Sequence, residues 1–124
     1  MTPEEEQAGG PVAGSYFVPP DMPPYMDMLE TCPCCGRRVQ SEQYAICPVC
    51  CWEDDHVQRR HPYAHGANGD WYLVSAQRLV RDRGLQVLWD LRPIDPRVAA
   101  EYPVDPAWRP ISDHWPSGDV PLGH

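Results

Sequence analysis

The chain contains no lysine; all ten of its basic residues are arginines. Eighteen acids outweigh them for a formal net charge of −8, and residues 1–31 hold six acids and no base at all. A surface of that sign repels phosphate, which excludes non-specific nucleic-acid binding and suits solubility or a basic protein partner. No apolar run approaches the ~20 residues needed to span a bilayer, so no membrane role is expected. The N-terminus lacks a basic segment followed by an apolar stretch; no secretory leader is expected, and the cytoplasm is the expected compartment. A Ser–His–Asp order, a nucleotide-binding loop and a catalytic carboxylate pair are missing too, so no enzyme is expected.

Long regular structure is also scarce at both ends. Of sixteen prolines, six fall in residues 1–31 and seven in residues 85–124, and each removes a backbone donor and fixes φ. Three regions are therefore expected: a flexible, acidic, Pro-rich arm over 1–28, a compact domain over 29–91, and a Pro-rich tail over 92–124 folded partly back on the domain. The arm carries exposed aromatics, Tyr16, Phe17 and Tyr25, able to dock on the body; the tail carries Trp108 and Trp115. A core of ~60 residues buries too little of its unfolded surface to be stable without a staple.

What is plentiful is cysteine, six within twenty residues. In a reducing compartment such a cluster reads as metal ligands rather than as disulfides. The string Cys32-Pro33-Cys34-Cys35-Gly36 is followed, with eleven residues between Cys35 and Cys47, by Cys47-Pro48-Val49-Cys50-Cys51. Two Cys-x-x-Cys pairs at short separation supply the tight turns a tetrahedral thiolate site requires. Proline at the second position of each pair favours the turn, and Gly36 permits the left-handed residue that lets the chain close over a metal. The expected ligands are Cys32, Cys35, Cys47 and Cys50, with Zn²⁺ ahead of iron. Structural zinc contributes ~10–16 kcal/mol in small peptides, more than the ~5–15 kcal/mol that a typical domain has in total. Cys34 and Cys51 each adjoin a ligand and are expected to be buried thiols. Arg37 and Arg38 stand beside the first turn, where they can offset its charge.

Around this site, residues 44–47 read as a short strand pairing with a segment near 29–32 or 37–40. Residues 71–83 read as a helix: Tyr72, Leu73, Ala76, Leu79 and Val80 make one apolar face, with Gln77, Arg78, Arg81 and Asp82 elsewhere. Asp70 is its expected N-cap and Gly84 its terminator. The alternation of Leu85, Val87, Trp89 and Leu91 suggests a further strand. The acidic run Glu53-Asp54-Asp55 has two readings: a lip for a basic partner, or, preferred here, a structural segment in which Trp52 covers the cluster and Asp54 or Asp55 caps a turn. His56, His61 and His65 are expected to be solvated rather than ligating. The 66–69 turn lacks a lysine to cradle phosphate and is expected to aim the helix.

In order and spacing, Cys-Pro-Cys-Cys-Gly, Ile46-Cys47-Pro48-Val49-Cys50, Trp52-Glu53-Asp54-Asp55, Val57-Gln58 and Gly66-Ala67-Asn68-Gly69 resemble the bacterial cysteine-rich CPCC family over roughly residues 31–84. Here Cys51 replaces a usual large residue, and Trp71-Tyr72-Leu73-Val74 replaces a Ser-Leu helix start. The resemblance implies zinc binding and no particular activity. The expected fold is small α+β: zinc-ribbon- or rubredoxin-like Cys₄ knuckles, a short β-hairpin, one C-terminal amphipathic helix and irregular ends. The expected function is a non-enzymatic, zinc-binding protein-interaction module. The alternatives are a rubredoxin-like iron electron carrier or a thiol redox protein acting through Cys34 or Cys51.

Overall fold

A computed structural model describes residues 12–20, 22–39 and 42–111. Its frame is two tight chain reversals, each made by one cysteine pair. In the first, Gly36 N–H donates back to Cys32 O at 2.8 Å; in the second, Cys51 N–H donates to Cys47 O at 3.0 Å. Just outside each turn the two flanks meet in a single antiparallel bridge, Thr31 with Arg38 and Ile46 with Glu53. The segment 44–47 therefore pairs with the far side of its own reversal and not with residues 29–32; its other expected partner, 37–40, ends in a residue outside the described set. Closing a loop of a few residues costs less entropy than joining two turns across the chain, so the local pairing prevails. Among the described residues no ladder extends beyond isolated bridges, and the β-hairpin expectation contracts to these two short reversals.

Three α-helices follow. α1 (His56–Arg60) starts where the Asp55 carboxylate accepts from Val57 N–H at 2.8 Å, so the capping role expected within the acidic run belongs to Asp55. α2 (Leu73–Arg83) begins later than the pattern suggested: Tyr72, not Asp70, is its N-cap. Ser75 Oγ secures that end, accepting from Tyr72 N–H at 3.1 Å and donating to Tyr72 O at 2.9 Å. Gly84 closes α2 in the left-handed conformation, φ 65°, where a side chain would be strained. α3 (Pro96–Ala99) is one turn, capped by Asp95 and started by proline.

Residues 85–91 are not a strand. They form an excursion closed at its base by Gln86 N–H to Arg92 O at 2.7 Å and hung on the second reversal by Val87 N–H to Cys50 O at 2.7 Å. Val87 is buried while Trp89, two residues on, is fully exposed, so the alternation reflects a turn leaving the body. No helix of the described residues is long and apolar enough to cross a membrane.

The N-terminal end of the described chain packs on residues 61–65 and the C-terminal end on the first cysteine reversal. Residues 1–11, 21 and 112–124, and with them Trp115, lie outside the described residues. Tyr16 and Phe17 remain largely exposed but dock through their rings on His61 and Tyr63, at centroid separations of 5.0 and 6.0 Å. Tyr25, expected to be exposed, is 1% accessible; its hydroxyl donates to Arg109 O and accepts from Gln77 Nε2. On the other side, Arg38 N–H donates to Pro103 O, and Asp105 N–H to Gly36 O.

Arg59 is the centre of this assembly. It is fully buried, and all five of its guanidinium donors are used. Nε and Nη2 fork onto the two oxygens of Asp54 at 3.1 and 3.0 Å; Nη2 also reaches Thr31 O at 3.2 Å, and Nη1 reaches Tyr25 O and Met28 O at 2.9 and 3.1 Å. One side chain thereby ties α1, the second cysteine reversal and the segment leading into the first. Truncating one member of a buried pair strands the other charge, so Arg59→Ala is expected to cost about 3–5 kcal/mol in denaturant unfolding. Arg59→Lys is expected to recover only a small part of that, since an ammonium cannot reproduce the fork. A loss under about 1 kcal/mol for Arg59→Ala would show that the carbonyls and Asp54 find other donors.

Candidate metal centre

The two reversals face each other sulfur to sulfur. One sulfur from each of Cys32, Cys35, Cys47 and Cys50 lies within 4.8 Å of all the others. The closest approaches run between the turns, Cys32 to Cys50 at 3.6 Å and Cys35 to Cys47 at 3.8 Å. A tetrahedron with metal–thiolate bonds of about 2.3 Å has edges of about 3.8 Å, so the quartet already has the dimensions of a four-coordinate site. Cys32, Cys47 and Cys50 are buried and Cys35 is half-buried.

Burial is the main force pushing the Cys32 and Cys50 thiols well above their ordinary pKa, while hydrogen bonds from Cys32, Cys35 and Cys50 pull Cys47 down. Four sulfurs confined in this way resist simultaneous ionisation unless a cation joins them; a bound dication reverses the balance and holds all four as thiolates. The residues present therefore fit a closed tetrahedral thiolate site, and they would supply all four ligands. Val49 N–H points at Cys47 Sγ at 3.4 Å, the kind of backbone donor that steadies a thiolate ligand.

The remaining sequence candidates fall around this quartet. Cys34 is buried and Cys51 half-buried; neither belongs to the four-sulfur group. No histidine of the described residues joins it either: His61 Nδ1 faces Tyr16 O at 3.3 Å, His56 lies 3.6 Å from Asp54, and His65 is exposed. Trp52 is 1% exposed and shares with Cys32 and Cys47 the wall of a cavity of about 10 Å³. Arg37 and Arg38 do not serve the cluster as expected. Arg37 Nη1 donates to Ala99 O and Tyr102 O, at 2.7 and 2.8 Å, and Arg38 pairs with Asp105 at 3.7 Å.

The acidic run resolves residue by residue. Asp54 is buried on Arg59; Asp55 is buried, with one oxygen on Val57 N–H and the other on Ala67 N–H at 3.0 Å. Only Glu53 turns outward. Its backbone is clamped by Asn68, whose Oδ1 accepts from Glu53 N–H at 2.8 Å and whose Nδ2 donates to Glu53 O at 2.9 Å. Gly66 is required beneath this clamp, because a Cβ there would collide with the Asp55 carboxylate.

Pattern reading missed Gln77. It is fully buried, donating to Pro33 O at 2.8 Å beside the first cysteine turn and accepting from Ile111 N–H at 3.0 Å. The signal was available, since position 77 lies four residues from Leu73 and one from Ala76, on the apolar stripe; its polar side chain disguised it.

The two reversals also share a backbone detail. Gly36 and Cys51 each follow the second cysteine of their pair and each has positive φ, 78° and 66°. The Trp108 ring lies against Gly36, where a Cβ would penetrate it, and its Nε1 donates to Pro33 O at 3.0 Å. Gly36→Ala is thus expected to lose about 2 kcal/mol or more, from left-handed strain and overpacking together. Cys51→Gly is expected to gain up to about 1 kcal/mol, because it relieves the same left-handed strain. Thermal unfolding of both variants checks the pair; a loss for Cys51→Gly would mean that the Cys51 side chain contributes more than its left-handed strain costs.

No curated protein and no solved structure matches the chain. Residues 30–87, which span both reversals, the Glu53 clamp, α1, α2 and the start of the 85–91 excursion, match the model of a family described as Cysteine-rich CPCC.

Proposed function

We propose that this chain is a non-enzymatic module in which a structural zinc ion on Cys32, Cys35, Cys47 and Cys50 organises a surface for binding another protein. The observation that carries this reading is the convergence of four sulfurs, two from each reversal, within 4.8 Å of one another. Four protein ligands leave a tetrahedral metal no open position, which suits a structural ion and not a Lewis-acid catalyst. Zinc is preferred to iron because it dominates structural sites of four cysteines. The bacterial cytoplasm, as the resemblance and the reduced cysteines suggest, is the setting in which such thiols persist. The net charge of −8 favours a basic partner.

Chemistry fixes the role of each ligand. All four must be deprotonated to bind, so metal uptake releases protons and metal release consumes them. The unfolded thiols are protonated below about pH 8.5, whereas the metal-bound chain keeps them ionised. The unfolded state then binds more protons, and stability falls as the pH is lowered through the neutral and acid range.

Elemental analysis of protein purified without chelator is expected to give one zinc per chain. Serine at Cys32, Cys35, Cys47 or Cys50 is expected to abolish that stoichiometry, and Cys34→Ser and Cys51→Ser to retain it. Acidification is expected to release zinc and unfold the chain together. A stoichiometric iron with a reducible visible band would instead make the protein a rubredoxin-like electron carrier, and no bound metal at all would remove the basis of the reading.

A further inference from the structure

Beside the second reversal lies a groove of about 510 Å³, within the ~300–1,000 Å³ usual for ligand sites. Three segments build it. The reversal gives Ile46 and Glu53, the turn before α2 gives Asp70 and Trp71, and the 88–91 turn gives Trp89 and Leu91. Each is fixed to the cysteine frame by hydrogen bonds: the Asn68 side chain clamps the Glu53 backbone, and Val87 N–H hangs the excursion on Cys50 O. The groove is therefore preformed, and filling it orders little additional chain.

Its chemistry is one-sided. The titratable carboxylates on its wall, Glu53 and Asp70, are both acidic, and no basic side chain lines it. Arg92, at the base of the excursion, is held by Asp90 at 2.7 Å. A four-thiolate centre holding a dication adds two net negative charges next to Cys51, on the groove's wall. Against these stand two indoles, one of them, Trp89, fully exposed at the turn tip, and Ile46 at 62% exposure. Leaving a whole indole in water is unfavourable, and tryptophan is over-represented where partners anchor.

We infer that this groove receives an arginine side chain, carried with an adjoining apolar residue, from a protein partner. Charge complementarity names the cation. The flat guanidinium can stack on an indole and fork onto a carboxylate at the same time, which a compact ammonium cannot do. The apolar neighbour covers Ile46 and Leu91. This rests on the reading of the chain as a metal-ordered binding module and identifies the chemistry of what it binds.

The test uses the full zinc-loaded chain and the probe peptide acetyl-Arg-Leu-Arg-amide, followed through the indole N–H signals of Trp71 and Trp89 by NMR. Saturable shifts of those signals are expected, with affinity at least tenfold weaker for the citrulline peptide, which keeps the shape and loses the charge. Glu53→Gln and Asp70→Asn are each expected to weaken binding threefold or more, and Trp89→Ala fivefold or more, with zinc content unchanged in all three. No saturation at millimolar peptide, equal affinity for citrulline, or preference for the lysine peptide would each overturn the inference. Zinc is measured on the same samples: a flat titration with stoichiometric zinc defeats the groove alone. Binding that survives complete chelation defeats the metal-ordered module and leaves the groove.

Discussion

Bringing Cys32, Cys35, Cys47 and Cys50 within 4.8 Å of one another confines four ionisable sulfurs in a space that excludes most water. Burial favours the thiol and close neighbours compete for a single negative charge, so a cation at its centre would favour the arrangement. The rest of the described chain hangs from the two backbones that carry these sulfurs. Val87 is bound to Cys50 O, Asp105 to Gly36 O, and Gln77 and Trp108 share Pro33 O. Among the described residues no sheet serves as scaffold, and the pair of reversals takes that place.

The shortage of regular structure sets a second constraint. Buried carbonyls that no helix or ladder engages must be satisfied in some other way, since an unpaired one costs about as much as a lost hydrogen bond. Here side chains do it. Arg59 serves the carbonyls of Tyr25, Met28 and Thr31, Arg37 those of Ala99 and Tyr102, and Gln58 those of Ala64 and Trp71. Long, multi-donor side chains suit this work because one residue can reach several segments. It also explains why Gln58, Arg59 and Gln77 are fully buried, in places where composition alone would put them in water.

That network marks the boundary of what the sequence made legible. The spacing of the cysteine pairs pointed to the quartet whose sulfurs converge, and Gly84 marked the end of α2. These signals are local, and local geometry decides them. Arg59, Gln77 and Tyr25 depend on acceptors 28 to 84 residues away, which no window of periodicity contains. The 85–91 segment failed for a related reason: period-2 alternation marks one buried face, and a single turn hung on another backbone produces it as well as a strand does. Asp70 lost the capping position to Tyr72 because Ser75 closes the helix end from inside.

The two reversals, alike in backbone, differ in what lies over them, and the difference divides their work. Gly36 is covered by the Trp108 ring and flanked by Arg37 and Arg38, both engaged by the C-terminal segment. Cys51, in the same left-handed conformation, carries a side chain and stands on the wall of the groove. The second reversal thus accommodates a side chain at the position where the first, under the Trp108 ring, admits only glycine. Under the proposed function, the second reversal, which stands beside Glu53 and two indoles, is the side offered to a partner. The two tryptophans thus have opposite placements: Trp108 packs against the first reversal, whereas Trp89 stands fully exposed beside the second.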